Sequence, residues 1–314
     1  MTSSFLARSS LVLTAFLSAS AAACGAPVDS DDEPAGAEAE VRSGPEAAAS
    51  GVRGSGAILA IGDSVTFGWD PVLESDWSKI DEKNYAGYPE LLGERTRSQV
   101  HNAACPGEAT GSFFSKTAPD NGCRGNRAAF GTHYPWKEGD RSLSTQMELV
   151  ESYLAKNKPR FITLTLGGND LGILANDCKS NPICVATRLL GVINAVGDNL
   201  TEIFKRIDRT GYKGKIAILT QYAPHYGELQ YKVGLGGLAL KVRDFVKDER
   251  VRHPDLGVVV ADAFGAFEAV AAEHGGDTCK TGLLIKNRDG KTCDIHPSPK
   301  GDVLLADTVE AALR

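Results

Sequence analysis

The sequence contains a serine, a glycine, an asparagine and a histidine, in that order, in settings where their side chains and amides could do chemistry. Residues 57–68 read AILAIGDSVTFG, so an apolar run ends in Gly-Asp-Ser with Ser64 as its last residue. Further along, Gly107 lies in NAACPG, Asn169 in GGND and His296 in CDIHPSPKG. Although Gly-Asp-Ser alone is also a common turn, a serine can attack a carbonyl once a histidine accepts its proton. Together these residues favour acyl transfer, with Ser64 as nucleophile and His296 as base.

The elements that must position these residues are predicted by two hydrophobic patterns. Short, continuous apolar runs are typical of strands buried on both faces, and the segment 98–104 is the weakest of them. Apolar residues at helical spacing lie between the runs. Since strands and helices alternate, we predict a parallel sheet with helices on both faces. The predicted strands cover 57–61, 98–104, 161–166, 215–220 and 256–263, and the predicted helices 143–154, 189–207, 233–246 and 303–313.

Parallel sheets bind ligands outside the carboxyl ends of their strands, so the candidate residues should meet at one edge. There the backbone amides of Ser64 and Gly107 and the side-chain amide of Asn169 would form an oxyanion hole. A separate segment, GLGGLA at 234–239, has the spacing of a dinucleotide-binding loop. It lies inside a helical pattern instead of at a strand-to-helix turn, so we predict no cofactor site there.

These four blocks resemble the SGNH (GDSL) hydrolase family, named for its serine, glycine, asparagine and histidine. The resemblance covers residues 57–301 and implies an α/β fold, a flavodoxin-like three-layer α/β/α sandwich with a mostly parallel five-stranded sheet. It implies a serine hydrolase that cleaves carboxylic esters without a metal or an organic cofactor. The expected substrate is a small-molecule, lipid or carbohydrate ester, and the expected state is a monomer.

One position departs from the family pattern. The last block usually has an acidic residue three positions before the histidine, but that position is Cys293 here, and Asp294 is two positions before His296. We therefore expect His296 to be oriented either by Asp294 or by a nearby main-chain carbonyl.

Several functions fit this resemblance besides a general esterase or lipase. A polysaccharide O-acetyl esterase, a lysophospholipase and a thioesterase use the same chemistry, and an inactive ligand-binding envelope lipoprotein could share the fold. Nucleic acid is not an expected partner, because the net charge is −6 and no basic stripe is present.

The N-terminal region predicts export. Residues 1–24 combine an arginine with a short apolar segment and small residues before Cys24, which is typical of a signal peptide and is similar to a lipoprotein processing site. Cleavage would leave either a secreted protein or a cell-envelope lipoprotein that a lipid on Cys24 tethers to a membrane. Residues 25–55 are small and acidic and predict a disordered tether, so the hydrolase domain spans 56–314.

The cysteine content agrees with export. The chain has seven cysteines, and those other than Cys24 lie in three sequence-local pairs. Counting alone leaves their pairing open, but the smallest loops cost the least entropy to close. The sequence contains no Cys-x-x-Cys motif, the spacing typical of a cysteine metal site. We therefore favour the disulfides Cys105–Cys123, Cys178–Cys184 and Cys279–Cys293.

Overall fold

The structure is a computed structural model, and it describes residues 56–73, 84–125 and 143–314. The predicted signal peptide, Cys24 and the tether lie outside these residues.

The five predicted strands form one parallel sheet. Its spatial order is β2-β1-β3-β4-β5, so the chain places β2 on one side of β1 and then returns to add β3 on the other. This point of reversal is where open α/β sheets form their ligand crevices. The strands are β1 (Ile58–Gly62), β2 (Val100–Asn102), β3 (Phe161–Thr165), β4 (Lys215–Leu219) and β5 (Gly257–Ala261).

Helices cover both faces of the sheet. The described helices are α1 (Ser64–Phe67), α2 (Tyr88–Thr96), α3 (Gln146–Lys156), α4 (Gly168–Asp177), α5 (Pro182–Arg209), α6 (Leu229–Arg252), α7 (Ala263–Ala272) and α8 (Pro299–Leu313). Alternate residues of each strand enter opposite cores: Leu59 packs with residues of α3, α5 and α6, whereas Ile58 packs with residues of α2, α7 and α8. The three-layer α/β/α prediction is confirmed.

A small hairpin stands apart from the main sheet. Strands β6 (Leu284–Lys286) and β7 (Cys293–Pro297) pair antiparallel just before α8. The structure also contains the three favoured disulfides, Cys105–Cys123, Cys178–Cys184 and Cys279–Cys293. The last of these joins β7 to the segment that precedes β6.

Among the described helices, α5 alone is long and apolar enough to cross a membrane by length and composition. Its C-terminal half packs into the core through Val196, Leu200 and Ile203, whereas Ile183 and Leu190 near its N-terminus are exposed.

Candidate active site

The nucleophile turn lies at the carboxyl end of β1. Gly62 has φ of +128°, and a Cβ at this position would lie 2.1 Å from the carbonyl oxygen of Thr165, so only glycine fits. The side chain of Asp63 then caps α1 by accepting a hydrogen bond from the Val65 amide at 3.0 Å. Ser64 is therefore the first residue of a short helix, at the edge where ligands are expected to bind.

His296 contacts Ser64 in the arrangement that a general base requires. Its Nε2 lies 2.9 Å from the hydroxyl oxygen of Ser64, and its Nδ1 contacts Oδ1 of Asp294. The same carboxylate oxygen accepts a hydrogen bond from the backbone amide of His296 at 3.0 Å. The structure thus brings together Ser64, His296 and Asp294, and of the two expected partners of Nδ1 it places the carboxylate there.

The pKa of the Asp294 carboxylate is lowered by its histidine partner. Burial acts to raise its pKa, but the hydrogen bond and the charge of His296 outweigh that effect and leave the pKa below its usual value. An ionised carboxylate on Nδ1 favours the tautomer whose Nε2 can accept the serine proton.

A hydrogen bond, a disulfide and a helix cap hold the strand that carries His296. The hydroxyl of Tyr222 donates a hydrogen bond to the carbonyl of Ile295 at 2.8 Å, and the ring of Tyr222 stacks on Phe267. The Cys279–Cys293 disulfide adjoins Asp294, and Ser298 caps α8 directly after β7. The base is therefore fixed from both ends of its strand.

A second carboxylate, that of Asp63, is buried next to the nucleophile. It accepts hydrogen bonds from the Thr165 hydroxyl at 2.9 Å and from the Gln221 amide at 3.2 Å. Burial raises the pKa of Asp63 to about 6, although its hydrogen bonds and the charge of His296 act to lower it. Asp63 fixes the serine turn, whereas the ring nitrogens of His296 bond to Ser64 and Asp294.

Gly107 and Ser64 both present backbone amides suited to an oxyanion. Gly107 has φ of +88°, and a Cβ there would lie 2.5 Å from the carbonyl oxygen of Asn121, so the tight turn requires glycine. Within the described part of the chain, neither the Ser64 amide nor the Gly107 amide donates a hydrogen bond to another residue. Both N–H groups are therefore available to a ligand.

Asn169 keeps one amide hydrogen available as well. Its Nδ2 donates to the carbonyl of Glu108 at 2.9 Å, and its Oδ1 accepts from Asn121 at 2.9 Å. Since a carboxamide nitrogen carries two hydrogens, the second can be donated to substrate. Asn169 lies in the first turn of α4, whose N-cap is Gly167, so it is not a helix cap.

The next residue, Asp170, joins α4 to the segment that carries Gly107. Its carboxylate accepts hydrogen bonds from the amide and the hydroxyl of Thr110, at 3.0 and 2.6 Å. Burial raises the pKa of Asp170, although these hydrogen bonds act to lower it.

Two buried polar residues near the site were not identified from the sequence. Gln146 and Glu108 are almost fully buried and are joined by a hydrogen bond from Nε2 of Gln146 to Oε2 of Glu108 at 3.1 Å. Gln146 also pairs with the backbone of Gly62. The sequence offers one signal here, because Thr145 and Glu148 have the spacing of a capping box and so mark Gln146 as the first residue of a helix. That signal gives no information on the contacts of the Gln146 side chain.

Glu108 also lies close to Cys105 and Cys123, a grouping that would suit a metal if the cysteines were free thiols. Their sulfur atoms are joined in a disulfide, so neither offers a thiolate ligand.

Comparison with known proteins identifies the family of the chain. The GDSL-like Lipase/Acylhydrolase family matches residues 60–304. No curated protein matches the sequence. Similar solved structures include the lipase Lip_vut3 from a goat rumen metagenome, with 16% identity over 82% of this chain and 97% of that one, at a TM-score of 0.46. Another is a carbohydrate esterase family 3 protein from Talaromyces cellulolyticus, with 12% identity over 82% of this chain and 96% of that one, at a TM-score of 0.45. Because the family matches most of this chain, the chain belongs to the GDSL-like lipase/acylhydrolase family and is an ester hydrolase.

Proposed function

We propose that the protein cleaves carboxylic esters through an acyl-enzyme formed on Ser64. The observation that carries the proposal is the continuous contact from Ser64 Oγ through the His296 ring to the Asp294 carboxylate. This is the arrangement of nucleophile, base and orienting acid that serine hydrolases of unrelated folds share.

In the first half of the reaction, Ser64 Oγ attacks the ester carbonyl carbon while its proton moves to Nε2 of His296. The carbonyl oxygen becomes an oxyanion, which accepts hydrogen bonds from the amides of Ser64 and Gly107 and from Nδ2 of Asn169. The C–O bond to the alcohol then breaks, and the leaving alkoxide takes the proton from His296. The alcohol departs and leaves the acyl group on Ser64.

The second half repeats these steps with water. His296 takes a proton from a water molecule, which attacks the acyl carbon and regenerates the oxyanion in the same three-donor site. Collapse of this intermediate releases the carboxylic acid and returns the proton to Ser64 Oγ. Asp294 stabilises the imidazolium in both halves and stays ionised.

The test is the Ser64→Ala variant with p-nitrophenyl esters as substrates. We expect the loss of kcat to be on the order of a million-fold. The melting temperature should change little, because Ser64 is only partly buried and its hydroxyl contacts His296 in the site. A fluorophosphonate probe should label Ser64 in the parent and nothing in the variant. The Ser98→Ala variant, altered after α2, serves as the matched control. Labelling at a different serine would overturn the proposal.

Acyl preference separates the esterase and lipase functions from polysaccharide deacetylation. An enzyme for long acyl chains should hydrolyse p-nitrophenyl decanoate at least as well as the acetate, whereas a deacetylase should strongly prefer the acetate. The same two substrates identify an inactive binding protein, which would turn over neither.

We also propose that the protein is exported. Its three disulfides support this, because structural disulfides persist mainly in oxidising compartments. In this proposal Cys24 becomes the lipid-modified N-terminus, and the tether holds the domain at a membrane surface.

A further inference from the structure

The three oxyanion donors are carried by separate parts of the chain. Ser64 follows β1, Gly107 lies in the loop after β2, and Asn169 lies at the start of α4. An oxyanion hole works only if its donors are held close to one fixed geometry, since a displacement near 1 Å can cost about a hundred-fold in rate. Something must therefore hold these three segments together.

Gln146 contacts two of the three segments with its side-chain amide. Its Oε1 accepts a hydrogen bond from the Gly62 amide at 2.6 Å, and its Nε2 donates to the Gly62 carbonyl at 3.0 Å. The same Nε2 donates to Oε2 of Glu108 at 3.1 Å. Gly62 is two residues before Ser64, and Glu108 directly follows Gly107.

Glu108 extends this connection to the third donor. Its carbonyl accepts the hydrogen bond from Nδ2 of Asn169 at 2.9 Å, and its carboxyl accepts one from the hydroxyl of Ser112. We call these three residues, Gly62, Gln146 and Glu108, the Gln146 bridge. Each of them is joined directly to a segment that supplies an oxyanion donor. Residues 146 and 108 are 1% and 3% exposed, so water does not compete for these hydrogen bonds.

The position of Gln146 is itself well defined. It is the first residue of α3, where Thr145 accepts a hydrogen bond from the Glu148 amide at 3.2 Å in a capping box. The next amide, that of Met147, donates to the carbonyl of Phe113 at 2.9 Å and ties α3 to the loop that carries Gly107. The side chain of Gln146 therefore leaves a fixed helix end toward Gly62.

We propose that Gln146 and Glu108 are positioning residues that set the spacing of the oxyanion donors. This inference rests on the proposed function, since it assigns a role within the same site. Neither residue touches the ester; both act through Ser64, Gly107 and Asn169. Their removal therefore weakens binding of the transition state more than binding of the substrate.

The experiment compares two variants. Gln146→Met keeps the length of the side chain but loses all of its side-chain hydrogen bonds, whereas Glu108→Gln keeps one acceptor oxygen. Thr96→Val is the matched control, because it deletes a buried hydrogen bond, to the Leu92 carbonyl at 2.6 Å, outside the site. Active sites are titrated with a fluorophosphonate, and kcat per titrated site, KM and the inhibition constant of an alkyl boronic acid are measured. The boronic acid adds to Ser64 and imitates the tetrahedral intermediate.

For Gln146→Met we expect kcat per titrated site to fall about 10- to 100-fold and KM to change less than about threefold. The inhibition constant of the boronic acid should rise in proportion to the fall in kcat/KM. Glu108→Gln should show the same pattern with a smaller effect, and Thr96→Val should change only the melting temperature.

A purely structural role would lower the fraction of titratable sites and leave kcat per site and boronic acid affinity within about threefold of the parent. That outcome would overturn the proposal. If Gln146→Met does not fold, Gln146→Glu, which keeps the acceptor for the Gly62 amide, is compared in its place. Failure of the proposed function looks different, because the parent itself would then hydrolyse no ester and carry no label on Ser64.

Discussion

Asp294→Asn removes the charge beside His296 while leaving the shape of the side chain almost unchanged. In a serine protease the comparable change lowers kcat by about ten-thousand-fold, because the amide nitrogen faces the histidine and reverses its tautomer. The size of the effect here depends on which end of the new amide faces Nδ1.

The backbone of this protein selects the oxygen end. The Oδ1 atom that contacts Nδ1 also accepts the His296 amide at 3.0 Å. An asparagine that turned its nitrogen inward would oppose two N–H groups, so its oxygen should stay in place and preserve the tautomer. Only the charge is then lost.

The loss can be estimated from hydrogen bonds to charged groups, which contribute about 1.5–3 kcal/mol against about 1 kcal/mol for neutral ones. The side chain of Asp294 is 26% exposed, so water screens part of its charge. The difference between charged and neutral hydrogen bonds is about 0.5–2 kcal/mol. We therefore expect kcat to fall by about tenfold, equivalent to about 1.4 kcal/mol.

The assay is steady-state hydrolysis of p-nitrophenyl acetate, normalised by fluorophosphonate titration. Asp289→Asn is the control, since it removes a carboxylate from the turn of the same hairpin, where it accepts hydrogen bonds from Lys291 and Thr292. A kcat within threefold of the parent would show that the carboxylate does not assist His296. A loss near ten-thousand-fold would refute the argument that the oxygen end is selected.

Three further predictions concern other parts of the molecule. Replacing Cys279 and Cys293 together by alanine should lower the melting temperature, since the disulfide is expected to contribute about 3 kcal/mol, and should also lower kcat because Asp294 adjoins the bridge. Burial raises the pKa of Asp302 from 3.8 to about 8, so the parent should lose stability as pH rises from about 4 to about 8. The Asp302→Asn variant lacks this titration, and thermal melts should show its stability rising relative to the parent over that range. Cys24→Ser should move the protein from the detergent phase to the aqueous phase, because the lipid would be lost.

Each of these predictions has its own control and contradicting result. Removal of Cys178–Cys184, which lies at the start of α5, should lower stability and spare kcat. For Asp302→Asn, a difference in melting temperature that stays constant between pH 4 and pH 8 would contradict the assigned cause. For Cys24, the intact mass of the mature parent protein decides, and a mass without added lipid would rule out the anchor.

The sequence predicted the sheet well because buried parallel strands are uniform in composition. All five predicted runs contain strands, and the helices with clear spacing were located. The ends of α5 and α8 were predicted closely, but α5 begins at Pro182, well before the predicted start at 189. The helices that escaped detection lack that pattern. Helix α1 has four residues, α2 has nine, α7 is apolar apart from Glu268, and α4 begins inside the GGND motif. Such segments are too short or too uniform in composition for periodicity to identify a helix.

The residues of the candidate site also fall into those that the sequence predicts and those that it does not. Ser64, Gly107, Asn169 and His296 could be inferred because each follows a strand or precedes a helix at the predicted edge of the sheet. The Gln146 bridge could not be inferred, because the partners of Gln146 are the backbone of Gly62 and a carboxyl group 38 residues away in sequence. Contacts of that kind depend on the fold and leave no pattern of spacing.

The shifted acid shows how local structure can resolve a departure from a family pattern. Asp294 and His296 both lie in β7, where residues two apart project from the same face of the strand. The carboxylate can therefore reach Nδ1 of its own strand neighbour, whereas the side chain three positions before the histidine projects from the opposite face. That position is Cys293, which joins the disulfide to Cys279. In an extended strand, the acid must stand two residues before the histidine to share its face, and the spacing found here meets that condition.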